Sequence, residues 1–478
     1  HIGTLSFSEM DMIGSSTLIT RITSDINQVQ SGVNMVLRLF LRSPFIVFGA
    51  MIMAFTVNVK AALVFVVAIP LLSAVVFSVM LASIPLFKKV QSGLDRVLGH
   101  TRENLEGARV IRAFNKEADE AKEFNASNDF LTNMQMVVGR ISTLMNPLTY
   151  IIINCAILAV IWIGGKEVFG GIITQGEVVA LVNYMSQILV ELVKLANLII
   201  LINKAIACGN RIEEVLETKS TIENNPNADT KRAVGDDAVT FSHVSMSYAS
   251  TSEEALTDID FTAKRGETIG IIGGTGSGKS SVVNLIPRFY DVSKGSVSID
   301  GKDVRDYDLT ELRDKIGVVM QKAVLFQGTI AENLRWGKPD ATDEELWKAI
   351  EVAQATDVVE GKEGKLDYMI EQGGRNLSGG QKQRLTIARA VVKNPDILIL
   401  DDSASALDFA TDARLRAALR NLKGNKTIFI VSQRTSSIQF ADKIIVMDDG
   451  QVAGIGTHEQ LLENCEIYRE IYESQFKK

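Results

Sequence analysis

The stretch TIGIIGGTGSGKSS, residues 268–281, decides the fold of the carboxyl-terminal half of this chain. Its apolar start, 268–272, predicts a buried strand, and 273–281 fits the pattern G-x-x-x-x-G-K-[ST] ahead of a helical stretch. Glycines let backbone N–H groups approach phosphate oxygens closely, and the helix N-terminus adds positive partial charge. The stretch therefore predicts a phosphate-binding loop between a strand and a helix.

This loop predicts the residues that hold a nucleotide. Lys279 is expected to neutralise the β- and γ-phosphates, and Ser280 to offer its hydroxyl to Mg²⁺. A bare glycine-rich turn is the alternative, but the strand and helix on either side favour the nucleotide site. We expect ATP to contact Gly273, Gly274, Thr275, Gly276, Ser277, Gly278, Lys279, Ser280 and Ser281.

A second apolar run, 397–400, ends in the pair Asp401 and Asp402 within ILILDDSASALD, residues 397–408. In proteins with this kind of loop, a neighbouring strand ends in a carboxylate that holds Mg²⁺ through water. Asp401 is therefore predicted to be the metal-side acid. Further strand-like runs alternate with helical stretches at 239–248, 316–320, 427–431 and 443–447. This alternation predicts a largely parallel α/β domain.

The amino-terminal half has a different composition. Residues 61–87 and 141–165 carry no charged side chain, and each run exceeds the roughly 20 residues that a helix needs to cross a bilayer. A third uncharged run lies at 43–59, and a fourth apolar stretch at 178–206 carries Glu191 and Lys194. These runs predict four transmembrane helices. The alternative, a soluble helical core, would require three uncharged runs to be buried on every face.

The loop between the spans predicted at 61–87 and 141–165 gives the orientation. Residues 88–140 carry nine Lys and Arg, so the positive-inside rule places them in the cytoplasm together with both chain ends. Their periodicity predicts helices that continue out of the membrane. We therefore expect a transmembrane domain with coupling segments at 1–208, a polar linker at 209–237 and a nucleotide-binding domain at 238–478. The net charge of −7 argues against a nucleic-acid partner.

A further motif, NLSGGQKQR at 376–384, lies between the phosphate loop and the aspartate pair. Phosphate loop, LSGGQ and aspartate in this order, after membrane helices, resemble the ATP-binding cassette (ABC) transporters, in particular one half of a type I exporter. The resemblance covers nearly the whole chain. It implies an α-helical transmembrane domain followed by an α/β P-loop ATPase domain, with ATP and Mg²⁺ as cofactors and a second exporter half and the lipid bilayer as partners.

The same resemblance implies further site residues. Tyr248 matches an aromatic residue that stacks on adenine, although an ordinary strand aromatic remains the alternative. Gln321 matches the glutamine that links the metal site to the membrane arms. Glu371 matches a cross-linking loop, and 405–408 a loop that meets its counterpart across a dimer. The signature residues implied to contact ATP of the opposite subunit are Ser378, Gly379, Gly380 and Gln381.

The resemblance also bears on the amino terminus. Residues 10–30 resemble the segment between the second and third spans of an exporter half, and 103–114 resemble the coupling segment between the fourth and fifth. The chain starts with His1 and shows four of six expected spans. We therefore expect that the sequence is truncated at its amino terminus. The implied location is the plasma membrane of a bacterium, as a multi-pass protein with its ATPase domain in the cytoplasm.

Two positions depart from the family pattern. The base that polarises the attacking water is Glu in active members, whereas Asp402 is one methylene shorter, and a misplacement of about 1 Å can cost roughly 10²-fold in rate. The residue that contacts the γ-phosphate is His in the family, whereas Gln433 stands here and cannot carry charge. We expect both to be degenerate, leaving a pocket that binds ATP and hydrolyses it weakly.

These departures predict a heterodimeric exporter in which the signature of this chain serves the competent site of its partner. Its substrate would be a hydrophobic or amphipathic drug, lipid or peptide. Two alternatives stay open: a homodimeric exporter with slow ATPase, and a non-hydrolysing, nucleotide-gated regulatory subunit. Gln187, Glu191, Lys194 and Asn197 are candidates for substrate contact in the fourth span, against the simpler interpretation of a self-satisfied Glu–Lys pair.

Overall fold

The structure, a computed structural model, describes residues 1–224, 236–249, 253–403, 405–422 and 426–476, and only the backbone at 196, 197, 199, 200 and 203. Asn197, Ala404 and the predicted linker residues 225–235 therefore lie outside the described parts. The chain forms two compact units. One unit is Ser16–Glu217, and the other combines His1–Ser15 with Thr218–Lys478.

The unit Ser16–Glu217 is helical. Over the residues that the structure describes, four helices are long and apolar enough to cross a membrane, as the sequence predicts. Helix α1, Phe7–Ile13, belongs to the other unit. The bounds of the four long helices and of the short helix α4 are α2 Ser15–Val57, α3 Val59–Glu106, α4 Ala108–Ala113, α5 Glu117–Phe169 and α6 Gln175–Glu217. Helix α2 contains two π-helical turns, Arg21–Asp25 and Val36–Phe40.

Helices α3 and α5 pack side by side along their length. At 48 and 53 residues, each exceeds about 70 Å at 1.5 Å per residue, more than twice the roughly 30 Å of a hydrocarbon core. Both helices are therefore long enough for the predicted extension out of the membrane, which stays a prediction. Small residues permit this packing, because Ala61, Ala62 and Ala156 lie in the buried core of the helical unit.

Helix α3 begins where Asn58 caps it. The Asn58 side-chain oxygen accepts a hydrogen bond from the Ala61 backbone N–H at 3.0 Å. At the far end of the bundle, α6 continues to Glu217. The sequence placed the start of the linker at 209, but the apolar Ile212, Val215 and Leu216 keep a helical spacing through this stretch.

The second unit contains two main sheets. Six strands lie in the order β12-β11-β3-β10-β9-β6, and four more in the order β2-β1-β4-β5. Within the six-stranded sheet all pairings are parallel except that of β12 with β11. The strand bounds are β1 Asp237–Ser247, β2 Glu254–Lys264, β3 Thr268–Gly273, β4 Lys294–Ile299, β5 Lys302–Asp303, β6 Ile316–Val319, β7 Gly328–Thr329, β8 Met369–Ile370, β9 Ile397–Asp401, β10 Thr427–Val431, β11 Lys443–Asp448 and β12 Gln451–Gly456.

The six predicted strands are present. Strands β2, β4 and β12 were not predicted from the sequence, although their alternating polar and apolar residues are typical of a strand with one exposed face, and neither were β5, β7 and β8, which have two residues each. Helices complete the unit. Their bounds are α7 Lys279–Leu285, α8 Leu309–Asp314, α9 Ile330–Arg335, α10 Asp343–Val352, α11 Thr356–Glu360, α12 Gly379–Val392, α13 Phe409–Asn421, α14 Thr435–Ile438, α15 His458–Asn464 and α16 Glu466–Phe476.

The order of the parallel strands positions the site. Strand β3 lies between β11 and β10, and β10 lies between β3 and β9. The carboxyl ends of parallel strands meet at one edge of a sheet, which is where ligands bind in open α/β sheets. The predicted phosphate loop, aspartate pair and Gln433 follow β3, β9 and β10. They therefore share one edge, although they are far apart in the sequence.

Candidate functional site

The phosphate loop wraps around the side chain of Lys279, which is 8% exposed. Its Nζ donates to the Gly273 carbonyl oxygen at 3.0 Å and to the Gly274 carbonyl oxygen at 2.5 Å. Burial lowers the pKa of Lys279, whereas the charges of Asp402 and Asp401 raise it. The ammonium group is therefore held inside the loop, close to two carboxylates.

Two positions of the loop have a positive φ that favours glycine, but they differ in the space around them. Gly278 has a φ of +91°, and a Cβ there would lie 2.7 Å from Leu256 Cδ2. Gly276 has a φ of +86°, and a Cβ there would meet nothing within 4 Å. The loop thus packs tightly on its inner side while its tip leaves space for a ligand.

The predicted metal-side residues lie together. The Ser280 hydroxyl donates to Asp401 Oδ1 at 3.0 Å. Burial raises the pKa of Asp401, and the neighbouring charge of Asp402 raises it further, while the Ser280 hydrogen bond and Lys279 lower it. The carboxylate is thus kept in a poorly solvated place, where a cation would stabilise its ionised form.

Asp402 lies at the turn after β9, with a φ of +45°. Its backbone N–H donates to the Val431 carbonyl oxygen at 3.0 Å, which ties the turn to β10. Gln321 Nε2 lies 3.5 Å from Asp402 Oδ2. Burial raises the pKa of Asp402, while Gln321, Lys279 and Arg434 lower it. The structure thus brings Gln321 and both aspartates together.

Gln433 lies beyond the end of β10 with an exposed side chain. Its backbone carbonyl accepts a hydrogen bond from Gln475 Nε2 at 2.8 Å. The other end of the Gln475 amide, Oε1, accepts from the Thr435 N–H at 2.9 Å. Helix α16 therefore holds the loop that carries Gln433, a contact that local sequence patterns do not indicate.

Sequence reasoning also missed Arg434. Its Cζ lies 5.2 Å from the centre of the Phe409 ring, and its buried Nη1 has no hydrogen-bond partner within the described residues. Its charge is near enough to lower the pKa of Asp402. Its place next to Gln433 in the sequence is the one signal that could have drawn attention to it.

The predicted adenine-stacking residue, Tyr248, follows β1 and is half-buried. Its hydroxyl lies 2.7 Å from the Ser281 Oγ of the phosphate loop. Its ring meets the edge of Tyr290, with ring centres 5.1 Å apart. Tyr290 in turn donates to Asp11 of helix α1 at 2.5 Å. Tyr248 is therefore connected to the amino-terminal helix α1 through Tyr290.

Ser378 caps helix α12, the helix of the signature. The Gln381 N–H donates to Ser378 Oγ at 3.3 Å, and the Ser378 N–H donates to Gln381 Oε1 at 3.0 Å. Ser378 and Gly379 are exposed, and a Cβ on Gly379 would meet nothing within 4 Å. A Cβ on Gly380 would lie 3.0 Å from the Ala406 carbonyl oxygen. The signature therefore packs on the 405–408 loop and presents its tip outward.

The 405–408 loop connects back to the aspartate pair. Ser405 Oγ donates to the Asp402 carbonyl oxygen at 2.8 Å, and Asp408 caps helix α13 by accepting from the Thr411 N–H at 2.9 Å. Glu371 is exposed, with its backbone N–H donating to Asn376 Oδ1 at 3.1 Å. Within the described residues its carboxylate has no hydrogen-bond partner, so it is available to another chain.

In the fourth span, Glu191 is 5% exposed. It accepts from the Ser43 hydroxyl at 2.6 Å and from Lys194 Nζ at 3.0 Å. Gln187 is exposed one turn earlier. Glu191 is thus satisfied by residues of its own chain, which supports the simpler interpretation of the Glu191–Lys194 pair.

The residues around the loop fit MgATP. A serine hydroxyl and a carboxylate are the hard oxygen ligands that Mg²⁺ takes, and it completes its shell with waters and phosphate oxygens. The described residues hold no cluster of three or more His, Cys, Asp or Glu side chains of the kind that binds a metal without a nucleotide. Ser280 and Asp401 would hold the ion, and its charge would neutralise the phosphates.

Known proteins resemble this chain over almost its whole length. The family "ABC transporter transmembrane region" matches residues 1–192, and the family "ABC transporter" matches residues 256–405. An ABC transporter ATP-binding protein of Mycobacterium tuberculosis is 39% identical over 480 residues, 99% of this chain and 82% of the relative. The ATP-dependent lipid A-core flippase of Desulfotalea psychrophila is 34% identical over 475 residues, 99% of this chain and 82% of the flippase.

A solved structure shares the fold. The structure of a bacterial Atm1-family ABC exporter with ATP bound superimposes with a TM-score of 0.80, over 100% of this chain and 83% of that chain, at 24% sequence identity.

Proposed function

This chain belongs to the ABC transporter family, and on that premise we propose that it is one half of a heterodimeric exporter whose own ATP site is degenerate. The family's ATPase domain couples ATP hydrolysis to transport across a membrane. The proposal adds that hydrolysis occurs mainly at a site completed by a second, different chain. The cargo is a hydrophobic or amphipathic molecule.

The observation that carries the proposal is the pair of side chains at the ends of β9 and β10. Val431 and Asp401 are partners in the parallel register, so Asp402 and Gln433 follow directly at the same edge. General base catalysis contributes typically about 10²–10⁴-fold to a rate. A shortened acid and an uncharged amide in place of the two assisting groups remove much of that contribution.

The binding part of the site remains intact. Lys279 and Ser280 are positioned by the loop, and Ser280 contacts Asp401. These contacts support firm binding of ATP and Mg²⁺, since charge neutralisation and metal coordination do not depend on Asp402 or Gln433. The exposed signature supports a role for Ser378 towards a second chain, because its tip is available for a phosphate of an opposing subunit.

The amino-terminal helix supports coupling to the membrane spans. Helix α1 packs on the ATPase unit through Phe7, whose ring centre lies 4.7 Å from that of Phe289. The chain runs directly from α1 into the membrane-spanning helix α2. A change at the nucleotide site that moves Tyr290 would therefore also act on helix α1, which contacts it through Asp11.

Phosphate release from the purified chain tests the proposal. We expect ATP binding without brisk turnover from this chain alone, and turnover once the chain that co-purifies with it is added. Ser378→Arg in this chain is expected to abolish turnover of the pair while leaving ATP binding to this chain unchanged. Brisk turnover by this chain alone would instead support a homodimer, and no turnover with any partner would support a nucleotide-gated regulator.

A further inference from the structure

Helix α5 carries an exposed polar stripe, defined as Arg140, Thr143, Asn146, Tyr150 and Asn154. The five positions are three or four residues apart, so they lie along one side of the helix. All five are exposed, although four of them lie inside the uncharged run 141–165. A groove of about 700 Å³ lies at the cytoplasmic end of the stripe, and Gln135, Arg140 and Thr143 contribute to its lining.

The polar side chains of the stripe make few hydrogen bonds with the described residues of this chain. Asn154 Nδ2 donates to the Tyr150 backbone oxygen at 2.8 Å. The side chains of Arg140, Thr143, Asn146 and Tyr150 have no hydrogen bond or ion pair with any residue that the structure describes. Unsatisfied polar groups in hydrocarbon cost several kcal/mol each, so this side of α5 faces water or another polar molecule rather than lipid tails.

The exposed membrane face of α3 differs from that of α5. The exposed positions of α3 include Leu63 at 55%, Val67 at 69% and Leu71 at 50%, all of them apolar. This is the composition expected where a helix contacts lipid. The polar stripe therefore distinguishes α5 from α3, although α6 also exposes Asn183, Ser186 and Gln187 within its apolar stretch.

An apolar row runs beside the polar stripe on the same helix. Leu144, Ile151 and Leu158 are seven residues apart and are exposed at 56%, 61% and 66%. Side chains at this spacing stay on one side of a helix. Helix α5 thus offers a polar track and an apolar track side by side, which suits a molecule with a headgroup and a hydrocarbon tail.

The positive charge of Arg140 indicates which kind of headgroup the stripe can bind. Arg140 is the only charged residue of the polar stripe, and its guanidinium is a cation with hydrogen-bond donors and no acceptor. The nearest acidic residues along α5 are Asp129 and Glu167, and Glu167 already accepts from Lys60 Nζ at 2.9 Å. An anionic group would pair with Arg140, whereas a cationic one would be repelled by it.

Given the proposed exporter function, we propose that the polar stripe carries the headgroup of the cargo and that the cargo is an anionic amphiphile, whose headgroup Arg140 captures at the cytoplasmic side. The tail lies along the apolar row while the headgroup passes from Thr143 towards Asn154. Arg140 is then the residue that selects for negative charge.

Fluorescent lysophospholipids test the charge preference. The purified full-length chain in detergent is titrated with nitrobenzoxadiazole-labelled lysophosphatidylglycerol, which is anionic, and with the matching lysophosphatidylcholine, which is zwitterionic, at about 0.1 M salt. Anisotropy should show an affinity for the anionic probe about tenfold higher. Arg140→Gln should abolish this preference and Arg140→Lys should retain most of it.

Lys89 provides the matched control, because it is an exposed cation just after the uncharged run 61–87 of helix α3. Lys89→Gln should leave the preference unchanged. An equal loss in both Gln variants would show general attraction of anions to the membrane surface and would overturn the proposal. Equal affinity of the unaltered chain for both probes would also overturn it.

Accessibility separates the cargo from a protein helix as occupant of the stripe. Asn146→Cys in a Cys155→Ser background should react with a water-soluble maleimide in membranes, and Val67→Cys on α3 should not. Protection of Asn146→Cys with and without ATP would show that a helix covers the stripe, against the proposal. ATP binding is measured in the same samples. If the chain binds ATP but does not prefer the anionic probe, only the proposal of an anionic cargo is contradicted. If the chain does not bind ATP, the proposed exporter function is contradicted.

Discussion

The hydroxyl of Tyr290 donates a hydrogen bond to the carboxylate of Asp11 across 2.5 Å, joining two residues that are far apart in the chain. Burial raises the pKa of Tyr290 well above its ordinary value, and the Asp11 charge raises it further. The phenol therefore stays protonated and remains a donor at any physiological pH. Since Tyr290 also meets Tyr248, this bond links the amino-terminal helix to the nucleotide loop.

Tyr290→Phe is expected to loosen helix α1 without removing its aromatic packing. A hydrogen bond to a charged group contributes about 1.5–3 kcal/mol, so local opening of 7–13 should rise roughly tenfold or more. Hydrogen–deuterium exchange of that segment is the measurement. The exchange of β3, measured in the same experiment, should not change. Unchanged exchange of α1 would show that Phe7 alone holds it.

Asp402→Glu together with Gln433→His is expected to give this chain ATPase activity of its own. The two changes restore a longer acid and a group that can carry charge, which contribute typically about 10²–10⁴-fold in general acid–base catalysis. The φ of +45° at residue 402 suits Asp better than Glu, so we expect a gain at the low end of that range. Phosphate release from the purified chain measures it.

Asp401→Asn is the matched control for that experiment, since it keeps the acceptor for Ser280 and removes the charge. The double variant with Asp401→Asn added should lose the gained activity. If the double variant gains nothing while ATP still binds, residues 402 and 433 are not what limits hydrolysis, and the proposed degenerate site is contradicted.

Asp401→Asn alone is expected to raise the melting temperature of the nucleotide-free chain at pH 7. The pKa of Asp401 is raised in the folded state, chiefly by burial, so the folded chain holds its proton to higher pH than the unfolded chain does. Stability therefore falls as pH rises from the unfolded pKa through the folded one. Removing the charge removes this loss, so the variant should melt at a higher temperature than the unaltered chain.

The same substitution should weaken the stabilisation that MgATP gives, because the metal loses its carboxylate. Differential scanning fluorimetry at pH 5 and pH 7, with and without MgATP, tests both parts. The advantage of the variant over the unaltered chain should shrink at pH 5. A variant that melts below the unaltered chain at pH 7 would contradict the assigned effect of burial.

Glu191→Ala is expected to destabilise the helical unit. It removes the acceptor of Ser43 and the partner of Lys194. Breaking a buried pair costs about 3–5 kcal/mol, and the 45% exposure of the Lys194 side chain reduces this to roughly 1–2 kcal/mol. Thermal unfolding in detergent measures the change, with Gln187→Ala at an exposed position of the same helix as its control.

Glu191→Gln gives the corresponding test of function. Because Gln can still accept from Ser43, the fold should be retained, and export of a cationic dye should be unchanged if Glu191 is only structural. A selective loss of export in a stable variant would return Glu191 to the residues that contact cargo.

The sequence by itself determined the local elements and their chemistry. Uncharged runs longer than a bilayer require membrane helices, since the bilayer offers backbone groups no partner. The glycine pattern at 273–281 requires a phosphate loop, because only glycine reaches the positive φ of Gly276 and Gly278 at no steric cost. These are properties of short stretches, and short stretches carry their own signals. The substitutions at 402 and 433 are visible for the same reason.

Tertiary structure alone decided which of these elements meet. The strand order β11-β3-β10-β9-β6 brings Lys279, Gln321, Asp401, Asp402 and Gln433 to one edge of the sheet. Long-range contacts hold Gln433 through Gln475 and connect Tyr290 to Asp11. The polar stripe of α5 was not identified from the sequence, because four of its residues lie within an uncharged run. Their exposure depends on which side of the helix packs on α3. Which side of an element is buried is set by its neighbours in space, and one sequence does not specify those.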